Sequence, residues 1–115
     1  MNPGPRSLEQ LEIGNEAVAL SQTIYRLGQA WPEAEQIRRA AVSVPANLAE
    51  GLGRARAGEI ARFARISHGS AYEVFTLLKI AEPLGYAGSY PPAYSELERL
   101  TKRLSAYLRH WEGKP

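Results

Sequence analysis

The chain has no cysteine and no aspartate, and only two histidines and one methionine among its 115 residues. Without cysteine there are no disulfide staples, thiolate metal sites or cysteine nucleophiles, a composition that fits a reducing compartment. Without aspartate the supply of hard oxygen ligands is thin, and three residues before His68 and His110 stand Arg65 and Tyr107, not the Glu a di-iron helical bundle requires. No metal and no cofactor is expected, and both histidines read as surface or packing residues. Long hydrophobic runs are missing too. Arg, Glu or Gln interrupts the apolar stretches every few residues, so nothing approaches the about 20 residues of a membrane span, and the start of the chain lacks the apolar core of a signal peptide. No membrane contact and a cytoplasmic location are the resulting expectations. Alternating runs of Val, Ile and Thr are also absent, which leaves a β-sheet little to build from.

What is present suits a single domain over residues 1–115. Hydrophobic residues make up 44% and charged residues 23%, ordinary globular usage, and the length allows one core but not two. Net charge is only +2, but it is unevenly spread. Residues 1–36 carry two Arg against five Glu, whereas residues 37–79 carry seven basic groups against three Glu. The middle of the chain is therefore the part suited to phosphate, through Arg38, Arg54, Arg56, Arg62 and Arg65.

Periodicity predicts four helices. Pro3, Gly4 and Pro5 deny helix to residues 1–6, which read as flexible, and Ser7 with Gln10 has the spacing of a capping box, so helix one should begin near Leu8. Its seam is Ile13, Ala17, Leu20, Ile24, Leu27 and Trp31, alternating steps of four and three. Pro32 followed by Glu33 and Glu35 opens helix two near residue 33, with the seam Ile37, Ala41, Val44, Leu48 and Leu52. Pro45 interrupts it by removing one intrahelical bond and crowding the Ala41 carbonyl, which predicts a kink near residues 41–45 or a break into two helices. Gly51, Gly53 and Gly58 read as turn glycines, with the turn over 52–58. Helix three follows on Ile60, Phe63, Ser67, Ser70, Val74, Leu77 and Ala81 and stops at Glu82-Pro83; Pro91-Pro92 opens helix four on Leu97, Leu100, Leu104, Tyr107 and Trp111. Four amphipathic segments on short connections bury their stripes as an all-α, antiparallel up-down-up-down bundle.

Chemistry is harder to find. His68 and Ser70 stand two apart on a helix and point in different directions, so a nucleophile built on His68, Ser70 and Glu73 does not assemble locally. Gly51, Gly53 and Gly58 miss the dinucleotide fingerprint, whose third glycine falls on Arg56, and no strand precedes them. No catalytic residue is assigned. More informative are the polar residues at or beside the seams: Arg39, Ser43, Asn47 and Glu50 form one stripe on helix two, and Ser67, Ser70 and Glu73 lie on helix three. They make either a solvated face or a network in which Arg39 pairs with Glu50 or Glu73 across two helices, while Ser67, Gly69 and Ser70 let the backbones come close. A buried pair of that kind costs about 3–5 kcal/mol when one partner is removed.

The stretch QIRRAAVSVPANLAEGLGR from Gln36 to Arg54, followed by FARISHGSAYE from Phe63 to Glu73 and by Leu84-Gly-Tyr86, resembles the bacterial four helix bundle family, also called the 23S rRNA intervening-sequence proteins. The resemblance implies a left-handed four-helix bundle assembled into a ring-shaped homo-oligomer, typically a pentamer, with no enzymatic activity. More distant relatives implied by it are accessory proteins of diversity-generating retroelements, which form basic pentamers and bind a reverse transcriptase with its RNA. The polar positions of the family fall here on Arg38, Arg39, Ser43, Asn47, Glu50, Gly51, Arg54, Gly69, Ser70 and Glu73. The chain departs from the family in one place. Only Glu33, Ala34 and Glu35 separate Pro32 from Gln36, which shortens the start of helix two by about a turn and a half.

Two functions are consistent with these residues. One is a non-catalytic homo-oligomer whose arginines engage RNA, DNA or a nucleoprotein. The other is a protein-binding scaffold in which the arginines only solubilise the surface and exposed Tyr86, Tyr90 and Tyr94 line a partner site. An enzyme would require a concave pocket holding Glu50 and Glu73.

Overall fold

The computed structural model describes residues 8–115. The expectations placed on residues 1–6 and on the Ser7 half of the capping box lie outside these described residues. A single 3-10 turn, Leu8–Gln10, leads into α1, Glu12–Leu27. A second 3-10 turn, Gly28–Ala30, and an extended Trp31 precede α2, Glu35–Arg54; α3 is Ala57–Ala81 and α4 is Pro91–Glu112. Among the described residues no strand occurs.

Contacts along the helices give the topology. Ser21 of α1 meets Ala41 of α2, and Tyr25 meets Arg38. Ser43 of α2 meets Ser70 of α3, and Gly51 meets Phe63. Arg65 of α3 meets Glu112 of α4, and Phe75 meets Tyr94; Thr23 of α1 meets Glu96, and Glu12 meets Arg103. In each pair one number rises as the other falls, so neighbouring helices run antiparallel and α4 closes back on α1. The protein is an all-α, up-down-up-down four-helix bundle.

The seams form the core as periodicity requires, except that near the end of α3 Leu78 is the buried leucine and Leu77, expected in the seam, is only half-buried. Leu20 and Ile24 of α1, Val44 and Leu48 of α2, Val74 and Leu78 of α3, and Leu97, Leu100 and Leu104 of α4 are almost wholly withdrawn from solvent. Burying side chains of this size stabilises the fold by about 1.5–3 kcal/mol each before entropy is counted. The outer ends of the α4 seam, Tyr107 and Trp111, are only half-buried.

The helix boundaries differ from expectation in four places. The first α-helix begins at Glu12 and not near Leu8, because Leu8–Gln10 form a separate 3-10 turn and Leu11 is extended. The first helix stops at Leu27, and Trp31 instead closes the end of the bundle, its indole N–H donating to the Ala87 carbonyl at 2.7 Å. Helix two starts at Glu35, not 33, because Pro32 lies in the extended link and not in the first helical turn. The α2–α3 turn is much tighter than 52–58. Gly51 and Gly53 lie within α2 and Gly58 within α3, and the reversal rests on Ala55, held left-handed at φ 59° with its N–H shared between the Gly51 and Leu52 carbonyls. Gly51 is a contact residue, not a turn residue: a Cβ there would lie 3.1 Å from the Phe63 Cβ and 3.2 Å from the Ile60 Cα, so its bare backbone sets the closest approach of α2 to α3.

Pro45 does not break α2, which runs unbroken through it. The Ser21 hydroxyl from α1 donates to the Ala41 carbonyl at 2.9 Å, supplying a donor where Pro45 has none.

Candidate functional site

The α2–α3 seam holds a small polar cluster. The Ser43 and Ser70 hydroxyls bond to each other at 2.8 Å, and the Asn47 amide donates at 2.8 Å to both the Ser43 hydroxyl and the Ser43 carbonyl. Deeper in, the buried Ser67 hydroxyl donates to the Val44 carbonyl at 2.8 Å. Because each of these side chains has a hydrogen-bond partner within the chain, the groups enter the interface with most of the penalty of desolvation offset.

The charged members of the predicted network stand apart from it. Arg39 pairs with Glu35, one helical turn back, at 3.1 Å, with the two side chains 75% and 81% exposed. Glu50 pairs with Arg54, again one turn away and half-exposed. Arg39 therefore does not pair with Glu50 or Glu73, because each of the two α2 residues has an oppositely charged neighbour in reach on its own helix. Glu73 is exposed and lines a shallow hollow of about 730 Å³ with Arg39, Ser43, Glu33 and Glu35. Glu50 is not part of that lining. Gly69 is not a close-approach residue either: nothing lies within 4 Å of a Cβ placed there.

The outward side of the same helix pair is partly apolar. Ile80 is 52% and Leu84 65% exposed, and Val42 and Ile66 are open to a similar degree as Phe75 on the far side of α3. Arg62, Ile66, Gly69 and Glu73 follow the helical four-three-four spacing, so they form one exposed row beside α2.

The five arginines assigned to a partner do not form one surface. Arg38 is half-buried, its guanidinium 4.9 Å from the Tyr25 ring centre and donating to the Tyr25 carbonyl, and by helix rise it stands about 24 Å from Arg54 along α2. Arg54, Arg56, Arg62 and Arg65 gather around the α2–α3 turn. There Arg54 and Arg62 share Glu59, at 3.4 and 3.5 Å, and Arg65 reaches Glu112 at 2.9 Å. Of these four, Arg56 has no ion-pair partner among the described residues.

The tyrosines expected to be exposed are not. Tyr90 is 5% exposed, stacks on Trp31 with ring centres 6.0 Å apart and donates its hydroxyl to the Tyr86 carbonyl; Tyr86 meets Trp31 edge-on, and Tyr94 is half-buried. Three aromatics and the loop after α3 thus plug the end of the bundle. Burial raises the pKa of the Tyr90 phenol, with the Glu82 carboxylate and Tyr86 adding to the effect; Tyr94 is raised by burial and by its hydrogen bond to Glu82.

Among the described residues, no group of His and Glu is placed to hold a metal ion, and no helix is long and apolar enough to cross a membrane. Reading the sequence missed Ser21, whose hydroxyl has meaning only once α1 lies against Pro45, and the aromatic flank of α3 at Tyr72 and Phe75. The signal for the second was present, since Arg65, His68, Tyr72, Phe75 and Lys79 keep the three-four alternation one step to the side of the core seam.

No curated protein matches the chain. A model of the family described as 23S rRNA-intervening sequence protein matches residues 9–110, from the turn before α1 to the last turns of α4, and so takes in the four helices, the Ser43–Ser70 cluster and the arginine-rich turn alike. The chain belongs to the 23S rRNA-intervening sequence protein family.

Proposed function

We propose that the chain is a non-catalytic assembly module. Copies associate through the outer α2–α3 face into a closed ring, five in number as the family resemblance implies, and the arginine-rich turn of each copy joins a basic surface that engages nucleic acid or a nucleoprotein. The observation that carries this reading is the hydrocarbon left open on this face: Ile66 and Ile80 on one side of α3, and Leu84 just beyond its end, are 42%, 52% and 65% exposed. Gly69, one turn from Ile66 with open space above it, leaves room for a neighbour's backbone on that face. Repetition around a ring multiplies the small excess charge at Arg54, Arg56, Arg62 and Arg65, and phosphate binding gains affinity from counterion release.

Light scattering on the purified protein, combined with the absorbance ratio of co-purifying nucleic acid, tests both halves of the proposal. The expected result is an oligomer that becomes monomeric, with its helical circular dichroism retained, when Ile66 and Ile80 are replaced by Glu. A parent protein that is monomeric at micromolar concentration overturns the assembly, and an intact oligomer that binds no nucleic acid at about 50 mM salt overturns the cargo.

One observation favours a second reading, a protein scaffold with no nucleic-acid contact: Arg54, Arg62 and Arg65 each already face a glutamate. Captured partners that survive nuclease and high salt would select it.

A further inference from the structure

The geometry points to a second binding site, in the groove between α3 and α4: we propose that it holds a single-stranded nucleic acid, with bases stacking on Tyr72 and Phe75 and phosphates meeting Lys79, Lys102 and Arg109. The inference shares with the function proposed above only the class of ligand. Its residues differ: those on α3 line a groove against α4, whereas Ile80 lines a hollow against the start of α2.

Two adjoining hollows form the groove. One, of about 480 Å³, is lined by Tyr72, Phe75 and Lys79 of α3 and by Tyr94, Glu98 and Thr101 of α4. The next, of about 340 Å³, shares Tyr72 and Thr101 and continues to His68, Lys102, Ser105 and Arg109. From Tyr94 to Arg109 the run along α4 is about 22 Å, too long for one nucleotide. Tyr72 is 54% and Phe75 40% exposed, although both belong to residue types that a bundle normally turns inward. Each ring is braced edge-on, Tyr72 by His68 with centres 5.0 Å apart and Phe75 by Tyr94 at 5.8 Å, which fixes the rings in place before any ligand arrives. Lys79 sits over both Phe75 and Tyr94, at 5.5 and 5.0 Å from the ring centres.

The charge selects the ligand. The linings of the two hollows carry Lys79, Lys102 and Arg109 against one carboxylate, Glu98. A polyanion with flat apolar faces matches this alternation of cation and ring. A duplex does not, since its base faces are stacked inside. Neither does an apolar partner helix, which would bury three cations against a single carboxylate.

The test is fluorescence anisotropy with labelled strands of about twelve nucleotides, one RNA and one DNA, and a hairpin duplex of the same composition, at about 50 mM salt. The parent is expected to bind single strands more tightly than the duplex. Tyr72→Ser and Lys102→Glu should each weaken single-strand binding about five-fold or more, and Tyr72→Phe, which keeps the ring, should not. Both positions are exposed, so circular dichroism should be unchanged in every variant. The groove is refuted if Tyr72→Ser binds like the parent, or if the duplex binds as tightly as the single strands. If under that result Arg56→Ala weakens binding, the arginine-rich turn is the site and the earlier proposal stands without this one. If the parent binds no strand at all, the groove and the nucleic-acid half of the earlier proposal both fail, and the assembly half is decided by light scattering alone.

Discussion

The Ser21 hydroxyl of α1 donates to the Ala41 carbonyl at 2.9 Å, and Ala41 is the residue four positions before Pro45. Proline has no N–H to give that carbonyl, so the bond missing within α2 is supplied from the neighbouring helix. Ser21 also lies 3.2 Å from the carbonyl of Ala17 on its own helix, so its one proton is shared within α1 as well as across to α2.

Ser21→Ala should therefore destabilise the protein by about 1–3 kcal/mol, because a carbonyl on the fully buried Ala41 loses its donor. In a Pro45→Ala background the same substitution should cost clearly less, since the restored amide serves Ala41 again. Urea denaturation of the four proteins of this double-mutant cycle measures the coupling, and a zero coupling energy would show that the two residues act independently.

Glu50→Ala and Arg39→Ala should each shift stability by less than about 1 kcal/mol, because both belong to solvent-exposed pairs one helical turn apart. Thermal melts check this. A loss of about 3 kcal/mol for either would mean that the residue is buried in the assembly, against a neighbouring copy.

Gly51→Ala and Gly69→Ala should act in opposite directions on the subunit. At Gly51 the added methyl meets the Phe63 Cβ and the Ile60 backbone, forcing α2 and α3 apart at a cost of about 1–3 kcal/mol. At Gly69 the methyl meets nothing within the chain, and alanine gains about 0.5–1 kcal/mol from helix propensity. Chemical denaturation gives both signs. Light scattering on Gly69→Ala adds a second readout, with weaker association if a neighbour packs there.

Stability should fall above about pH 10. The phenol pKa of Tyr90 is raised in the fold by burial, with help from Glu82 and Tyr86, whereas the unfolded chain ionises at the ordinary value. Between the two the folded state binds the extra proton, so its advantage is fully present below the unfolded pKa and is lost as pH rises through the folded one. Denaturation midpoints from pH 8 to about 11 should decline, and less steeply in Tyr90→Phe.

The core was legible because a helical seam is a local property. Ile13, Ala17, Leu20, Ile24 and Leu27 are buried for the same reason they are spaced by four and three: a 3.6-residue turn brings them onto one side. The same holds for Ile37 to Leu52 on α2 and for Ser67 and Ser70 on α3, polar residues that stay in the seam because each finds a hydroxyl or carbonyl on α2. The candidate site was less legible. Arg39 can reach an acid on its own helix or on the next, and the sequence presents both. Its choice of Glu35 follows from the outward direction of its side chain, which depends on how α2 is rotated against α3.

The arrangement of apolar residues in the chain is enough to determine four helices and their inward faces, since each of these depends on neighbours within a few residues. Which donor serves Ala41, whether Tyr90 faces solvent or Trp31, and which side of α3 remains open beside Tyr72 were decided only when helices distant in sequence came to lie side by side. Those outcomes depend on interhelical rotation and offset of a few ångströms, set by all the packed side chains together and by no single segment.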